Sequence, residues 1–331
     1  MIYFKARVCY NRDSFSNDPR RLQLKRKCNL IVDSCCDLPY DVVNREGVYL
    51  VRFPFFFGEE EHLDDLWNEN DPHEFYERIR KGEQPTTAQA SIPVLKQTFE
   101  EAAVDGLPCV YLSFTSGLSA SFDQACLVAE QVKAEHPEFD LRIVDTFLAS
   151  TAEAVIVFEA LRQQERGLSA DEMEKWACEA RYFVNVYFMV EDLECLHRGG
   201  RIPASVAVVG SKLDVKPIVT IASDGTLSVK GVARGRKKGL RQLVQLYMDR
   251  VDSTAAPFVC VGNADCPKDM KKMEEILVKE AGKEPVFVEQ PIGPVIGSHV
   301  GPGMVSLCFW GKDRREDVSL TDKIARKVKG E

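Results

Sequence analysis

Short apolar runs alternate with amphipathic stretches along the first half of this chain. The runs are rich in branched and aromatic residues and stop at polar or glycine-containing turns, which is typical of buried β-strands. The stretches between them repeat apolar residues every three to four positions, which predicts helices. Predicted strands lie at 29–33, 48–57, 110–114 and 141–144, and predicted helices at 72–80, 94–103, from Leu118 onward and at 149–165. Alternating strands and helices indicate βαβ units and a parallel, Rossmann-like sheet.

The pattern changes after residue 168. Ser169 and Glu172 form a capping-box sequence that begins a helix to Ala180. Ser223-Asp224-Gly225 is a hairpin signal between two apolar runs. The predicted strands of this half lie closer together, at 182–190, 215–221, 227–233, 258–262, 285–289 and 304–310, and a Gly/Pro-rich loop is predicted at 292–303. The overall class is therefore α/β, with an N-terminal parallel-sheet domain followed by an α+β domain whose sheet is mostly antiparallel.

These patterns divide the chain into four segments. Residues 28–168 form the first domain and 169–312 the second. Residues 1–27 carry eight Lys or Arg against two Asp and lack a sustained amphipathic pattern, so we expect a disordered or added extension. Residues 313–331 are expected to be a charged tail.

Composition excludes several classes of protein. The 331 residues include 43 Lys and Arg against 51 Asp and Glu, a net charge of −8, which argues against general nucleic-acid binding. The 11 cysteines form neither a C-x-x-C pair nor metal-spaced clusters, and no secretory signal precedes them, so we predict reduced thiols, no metal site and a cytoplasmic location. No apolar run is long enough for a transmembrane helix.

Polar clusters follow the predicted parallel strands. Ligands of such sheets bind beyond the carboxyl ends of the strands, and four clusters fall at this edge: Asp33-Ser34, Thr86-Thr87, Thr115-Ser116 and Asp145-Thr146. The Thr-Ser-Gly turn ending at Gly117 precedes a helix, whose unpaired N–H groups suit a phosphate or carboxylate. Simple helix capping by Ser116 or Ser119 is the alternative. Asp37, two residues before Pro39, similarly fits a helix cap.

A set of motifs in fixed order resembles the DegV family of bacterial fatty-acid-binding proteins, over residues 29–311. The matching segments are 33–39 (DSCCDLP), 85–91 (PTTAQAS), 115–121 (TSGLSAS), 144–145 (VD), 193–202 (LECLHRGGRI), 216–218 (KPI), 224–225 (DG), 234–238 (RGRKK) and 296–303 (IGSHVGPG). Each motif is weak alone, but their order and spacing together are specific.

The resemblance implies a carrier without catalytic residues or cofactor. One long-chain fatty acid would lie between the two domains, and a partner fatty acid kinase would phosphorylate its carboxyl group for phospholipid synthesis. The implied carboxylate contacts are Thr87, Ser116 and His299. Further ligand-binding candidates are Thr86, Gly117, Ser34 and Arg201, and Arg234 or Arg236 resembles the kinase-docking surface. The implied role is also compatible with transient contact between the protein and a membrane.

Some segments depart from the family pattern, among them 119–121 (SAS), where the family usually has Ser-Gly-Thr. The usual Thr-Ser-Gln-Pro-Ser is Thr87-Ala88-Gln89-Ala90-Ser91 here, which keeps the threonine. A usually Gly-rich segment after Asp145 is replaced by 147–152 (FLASTA). We expect these changes to affect the preferred acyl chain more than binding of the acid.

Two other functions remain open from the sequence. Ser116, Asp145 and His299 occur in an order that a hydrolase triad allows, although Ser116 does not lie in a G-x-S-x-G elbow. The same strand-end turn could instead bind another small anion, although no P-loop motif is present.

Overall fold

The computed structural model describes residues 25–207, 214–252 and 258–317. Its strands are β1 Asn29–Asp33, β2 Val48–Val51, β3 Pro54–Phe57, β4 Glu60–Leu63, β5 Thr86–Thr87, β6 Cys109–Ser113, β7 Leu141–Asp145, β8 Val184–Met189, β9 Val215–Ile221, β10 Leu227–Arg234, β11 Phe258–Asn263, β12 Val286–Pro291 and β13 Val305–Trp310. Its helices are α1 Tyr40–Val43, α2 Pro72–Arg80, α3 Ile92–Val104, α4 Ser121–Glu135, α5 Ser150–Glu165, α6 Ala170–Ala180, α7 Glu194–Arg198, α8 Ala204–Ala207, α9 Arg236–Arg250, α10 Pro267–Ala281 and α11 Pro294–Val300.

The first sheet is parallel and has the order β2-β1-β6-β7, which confirms the prediction. Every residue of β1 and β6 is buried. Strands covered on both faces read as continuous apolar runs, and this explains why the sequence pattern located them.

The second sheet has the order β10-β9-β8-β13-β11-β12 and is antiparallel except for the β11–β12 pair. The predicted hairpin joins β9 to β10. Helices α9 and α10 pack on one side of this sheet. Helix α5 packs on its other side and also against β1, so it lies between the two sheets. Its side chains are buried almost all round, as expected for a helix enclosed by the core.

Three local predictions were wrong. The extended run at 48–57 is two strands in different sheets, because the chain leaves the parallel sheet after Val51 and β3 pairs with β4 and β5 in a small antiparallel sheet. The helix expected from Leu118 begins at Ser121. The loop expected at 292–303 contains α11, whose first residue is Pro294, a favoured residue in the first turn of a helix.

Both ends of the described chain are held by side chains. Arg26, which the sequence places in the extension, pairs with Glu46 and Asp105. Arg314, which the sequence places in the charged tail, is buried and donates to the backbone carbonyls of Phe147, Ile221 and Ala222. The capping box at Ser169 is confirmed. The helix that it begins, α6, packs on β6 and β7 of the parallel sheet.

Candidate ligand-binding site

A largely apolar cavity lies between the carboxyl ends of the parallel strands and the second sheet. It contains about 720 Å³ of space free of protein atoms, counting the part open to solvent, and a water-sized sphere can move its centre through about 70 Å³. None of the side chains that line it is acidic; they are Cys35, Phe53, Thr87, Ala88, Phe114, Leu118, Ser119, Ala149, Ser150, Thr151, Val186, Phe188, Leu196, Arg201, Ile221, Leu227, Val295, Ile296, His299, Val300, Met304 and Ser306.

Thr87 and His299 meet at one part of the lining. Their Oγ1 and Nε2 atoms are 2.7 Å apart, although the two residues are 212 positions apart in the chain. Thr87 is held by β5, where it pairs with Phe55 of β3, and His299 is held by α11, which packs on both strands. Both side chains are only partly buried.

The ring of His299 is fixed from its other side by Gly199. A Cβ atom on Gly199 would overlap Nδ1 and would lie 2.9 Å from Cε1. Nδ1 is buried and has no hydrogen-bond partner among the described residues. Burial, followed by the positive charges of Arg201 and Arg198, lowers the pKa of His299 to about 4. The imidazole is therefore neutral at pH 7, and Nε2 can donate to Thr87 if it carries the proton.

Arg201 brings a positive charge to the same lining. Its Nε donates to the carbonyl oxygen of Leu118 at 3.0 Å, and Nη1 donates to that of Gly199. No carboxylate of the described residues forms an ion pair with it, and burial lowers its pKa. A half-buried guanidinium bonded to neutral carbonyls can still attract an anion.

Ser119 lies on the lining, whereas Ser116 does not. Ser116 is exposed, and its backbone N–H donates to the carboxylate of Asp145 at 3.2 Å. Ser119 is partly buried and its Oγ lies 3.0 Å from Oγ of Ser121. The sequence analysis considered Ser119 only as a helix cap. Nothing in the local sequence indicated that its side chain would face the cavity.

The predicted cradle of free N–H groups at this turn is partly occupied by bonds within the turn. The N–H of Gly117 donates to Thr115 Oγ1, that of Leu118 to the Thr115 carbonyl, and that of Ser121 to Ser119 Oγ. These donors are used within the turn because the chain folds back before the helix begins. These three N–H groups are therefore not available to an anion.

Three other predicted residues lie outside the lining. Gly117 lies so close to the β9–β10 hairpin that a Cβ atom would be 2.5 Å from the Gly225 carbonyl carbon. Ser34 is buried and its Oγ accepts from the N–H of Phe53. Thr86 is exposed beside Thr87. The structure thus brings together Thr87, Arg201 and His299 of the seven predicted ligand-binding residues.

The candidate triad is not assembled. His299 Nε2 is paired with Thr87, and among the described residues no hydrogen bond joins His299 to Ser116. Asp145 accepts from the backbone N–H groups of Ser116 and Phe147. Its carboxylate therefore shapes the turn after β7.

Asp37 does not cap α1, which was predicted from its place before Pro39. It lies fully buried in the left-handed region at φ 50°, and the cap residue of α1 is Pro39. Its carboxylate accepts from Ser150 Oγ at 2.5 Å and from the N–H of Gly293 at 2.9 Å. Asp37 therefore connects the parallel-sheet part of the chain to the segment before α11.

The two candidate docking arginines differ in environment. Arg234 is exposed at the end of β10. Arg236 is partly buried and is bonded to Asp269, Glu191 and the carbonyl oxygen of Gly303. Arg236 therefore fixes the loop that follows α11 and has fewer donors available to a partner.

One group of side chains in the described part of the chain has spacing suited to a metal ion: His73, Glu77 and Asp265. Arg80 already pairs with Glu77 and Asp265 there. Within the same residues, none of the helices is both long and apolar enough to cross a membrane.

Comparison with known proteins identifies the family. The family model described as DegV, uncharacterised protein, matches residues 27–312. A DegV domain-containing protein of Clostridium perfringens is 30% identical over 286 residues, which cover 86% of this chain and 98% of the relative. The chain belongs to the DegV family.

Solved structures of the DegV family share this fold. A DegV lipid binding protein of Thermotoga maritima has a TM-score of 0.72 at 26% identity and covers 87% of this chain and 99% of its own. DegV of Bacillus subtilis, described as a fatty acid binding protein, has a TM-score of 0.74 at 26% identity, with 87% and 100% covered. A DegV family protein of Thermus thermophilus, described by its fatty acid binding, has a TM-score of 0.73 at 26% identity, with 86% and 100% covered.

Proposed function

We propose that this DegV protein binds one long-chain fatty acid in the cavity between its two sheets and presents the carboxyl group to a fatty acid kinase. The observation that carries the proposal is the distribution of charge around the cavity. The lining is mostly apolar, contains no acidic side chain, and has Thr87, His299 and Arg201 together at its partly exposed side. The fatty-acid-binding relatives support the same ligand class.

In this proposal the carboxylate is bound by side chains with distinct roles. Thr87 donates a hydrogen bond from its hydroxyl to the carboxylate and accepts one from the N–H of His299 Nε2, while Arg201 supplies the positive charge. Ser119 adds a second hydroxyl, and Ser116, being exposed, remains a candidate only for an outer contact. Thr86, Gly117 and Ser34 then position the surrounding backbone.

The acyl chain supplies most of the affinity. Burial of each CH₂ group contributes about 0.8 kcal/mol, whereas each hydrogen bond to an ionised group contributes about 1.5–3 kcal/mol. A chain of a dozen or more methylenes therefore outweighs the head group, which sets the orientation. We propose no catalytic residue, cofactor or metal, because the kinase would supply the phosphoryl chemistry, and we place the protein in the cytoplasm.

The kinase-docking surface is proposed to include Arg234 and Arg236, with Arg234 as the direct contact. Arg236 already has three internal partners, so its replacement would act by disturbing the loop after α11. Reversing the charge of Arg234 should reduce acyl phosphate formation by kinase and ATP while leaving fatty acid affinity unchanged.

The deciding experiment is denaturing mass spectrometry of an organic extract from the purified protein. A long-chain fatty acid at about one molecule per chain is the expected result. A different anion without lipid would favour the small-anion alternative. Hydrolysis of an ester substrate that Ser116→Ala abolishes would favour the hydrolase.

A further inference from the structure

Four carboxyl groups lie fully buried behind the cavity: those of Asp33, Asp37, Asp64 and Glu153. Buried acids are usually paired with cations or hydrogen-bonded on both oxygens. Here Oδ2 of Asp64 has no hydrogen-bond partner among the described residues, and the carboxyl group of Glu153 has only that of Asp33 as a side-chain partner there. Their ligand atoms are not grouped closely enough to hold a metal ion. The proposed binding of a fatty acid does not require these buried carboxyl groups.

Two of the four carboxyls meet the second part of the chain at one point. Asp37 Oδ1 accepts from the N–H of Gly293, and a Cβ atom on Gly293 would overlap this oxygen and lie 3.3 Å from Oδ2 of Asp64. Gly293 directly precedes α11, the helix that carries His299. We call this contact of Asp37 and Asp64 with Gly293 the acid seam.

The two carboxyl groups of the acid seam differ in their hydrogen bonds. Asp37 receives hydrogen bonds from Ser150 and Gly293, which stabilise its ionised form. Asp64 receives one from the N–H of Leu66 on Oδ1, and the Ser34 hydroxyl also stabilises its ionised form, while Oδ2, the atom facing Gly293, has no hydrogen-bond partner among the described residues. A proton on Asp64 therefore avoids a second buried charge beside Asp37.

Surrounding groups add more negative than positive charge. Arg52 is the cation that acts on Asp64, but its N–H groups donate to the backbone carbonyls of Asp64 and Leu63. The other titratable groups that act on the seam acids or are acted on by them are Asp33, Asp65, Tyr76, Glu153, Cys35, Cys36 and Cys308.

We propose that the acid seam is a proton-dependent contact: protonated Asp64 keeps α11 seated against the parallel-sheet part of the chain, and its ionisation loosens that contact. Burial raises the pKa of Asp64 to about 7. Burial and the Asp64 carboxyl also raise the pKa of Asp37, which the hydrogen bonds from Ser150 and Gly293 oppose. Loosening would move the helix that carries His299, so alkaline pH should also speed release of the acyl ligand. This last consequence rests on the proposed function, whereas the seam itself does not.

The size of the effect follows from proton linkage. If opening returns Asp64 from a pKa of about 7 to its ordinary 3.8, the equilibrium constant for opening rises about tenfold between about pH 6 and about pH 8.5. The sign is fixed because the closed form holds a proton that the open form releases.

Hydrogen exchange of the Gly293 amide in the full chain without ligand tests the proposal. After correction for intrinsic exchange, protection in the wild type should fall about tenfold over this pH range, and Asp64→Asn should reduce the fall to less than about threefold. Glu153→Gln is the matched control, since it removes a buried acid that does not contact Gly293, and it should keep the tenfold fall. Equal pH dependence in wild type and Asp64→Asn, or a flat wild-type profile, would overturn the proposal.

Release of a fluorescent long-chain fatty acid forms the second readout. It should accelerate about tenfold over the same pH range in the wild type and by less than about threefold in Asp64→Asn. If no fatty acid binds at all, the proposed function fails while the amide measurement still decides the seam. If Asp64→Asn does not fold, the wild-type protection profile alone can refute the proton dependence.

Discussion

Replacement of Gly199 by alanine should weaken ligand binding without any change to a polar group. Gly199 has ordinary helical dihedral angles, φ −72° and ψ −4°, so the backbone accepts alanine. Its Cβ atom, however, would overlap His299 Nδ1 and lie 2.9 Å from Cε1, roughly 1 Å inside a relaxed contact between carbon atoms. The ring must then move away from Gly199, and the 2.7 Å hydrogen bond with Thr87 is strained or lost.

The expected magnitude follows from the interactions at stake. Overpacking of this kind destabilises a folded protein by about 1–3 kcal/mol. Once His299 no longer orients the Thr87 hydroxyl, the proposed hydrogen bond from that hydroxyl to the ionised head group is lost, which costs about 1.5–3 kcal/mol, or about tenfold to over a hundredfold in Kd. Fluorescence displacement of a bound fatty acid measures the affinity, and urea unfolding measures the stability.

Gly200→Ala is the matched control. Gly200 has φ +73°, and a Cβ atom there would meet nothing within 4 Å. This variant should lose about 1–2 kcal/mol of stability from left-handed backbone strain and keep its affinity. Wild-type affinity in Gly199→Ala, or an equal loss of affinity in Gly200→Ala, would refute the role given to the His299 ring.

Three further outcomes test the structure. Thr87→Val should weaken fatty acid binding at least about tenfold while Thr87→Ser stays within about threefold, as measured by the same displacement assay, because only the hydroxyl is needed. The free energy of unfolding, measured with urea, should fall as pH rises from about 4 to about 7. The reason is that Asp33 keeps its proton in the folded protein up to a pKa of about 7, whereas the unfolded chain loses it near 3.8. A rise in the free energy of unfolding over this range would contradict the burial of Asp33. Arg236→Ala should lower the thermal midpoint and Arg234→Ala should leave it unchanged, because only the former has its guanidinium bonded to Asp269, Glu191 and the Gly303 carbonyl.

The sequence alone predicted a parallel sheet followed by a mostly antiparallel one, and the family. Strands β1 and β6 are covered on both faces, so burial requires apolar residues at consecutive positions. Such a run can be recognised directly in the sequence. The capping box at Ser169 and the hairpin at Ser223-Asp224-Gly225 depend on neighbouring residues only, and both were predicted correctly. The Gly/Pro content of 292–303 led to the wrong prediction of a loop. A short helix such as α11 is stabilised by packing on β3, β5, α2 and α7, which the local composition does not reveal.

Only the tertiary structure decided which polar residues share a site. The pairing of Thr87 with His299 spans 212 positions and depends on α11 meeting β5. The same packing places Ser119, and not Ser116, on the cavity, and turns Asp37 from an expected helix cap into a contact with Gly293. Local sequence specifies hydrogen bonds within a few residues, whereas contacts between sheets form where the chain's distant surfaces are complementary, and that complementarity has no local signal.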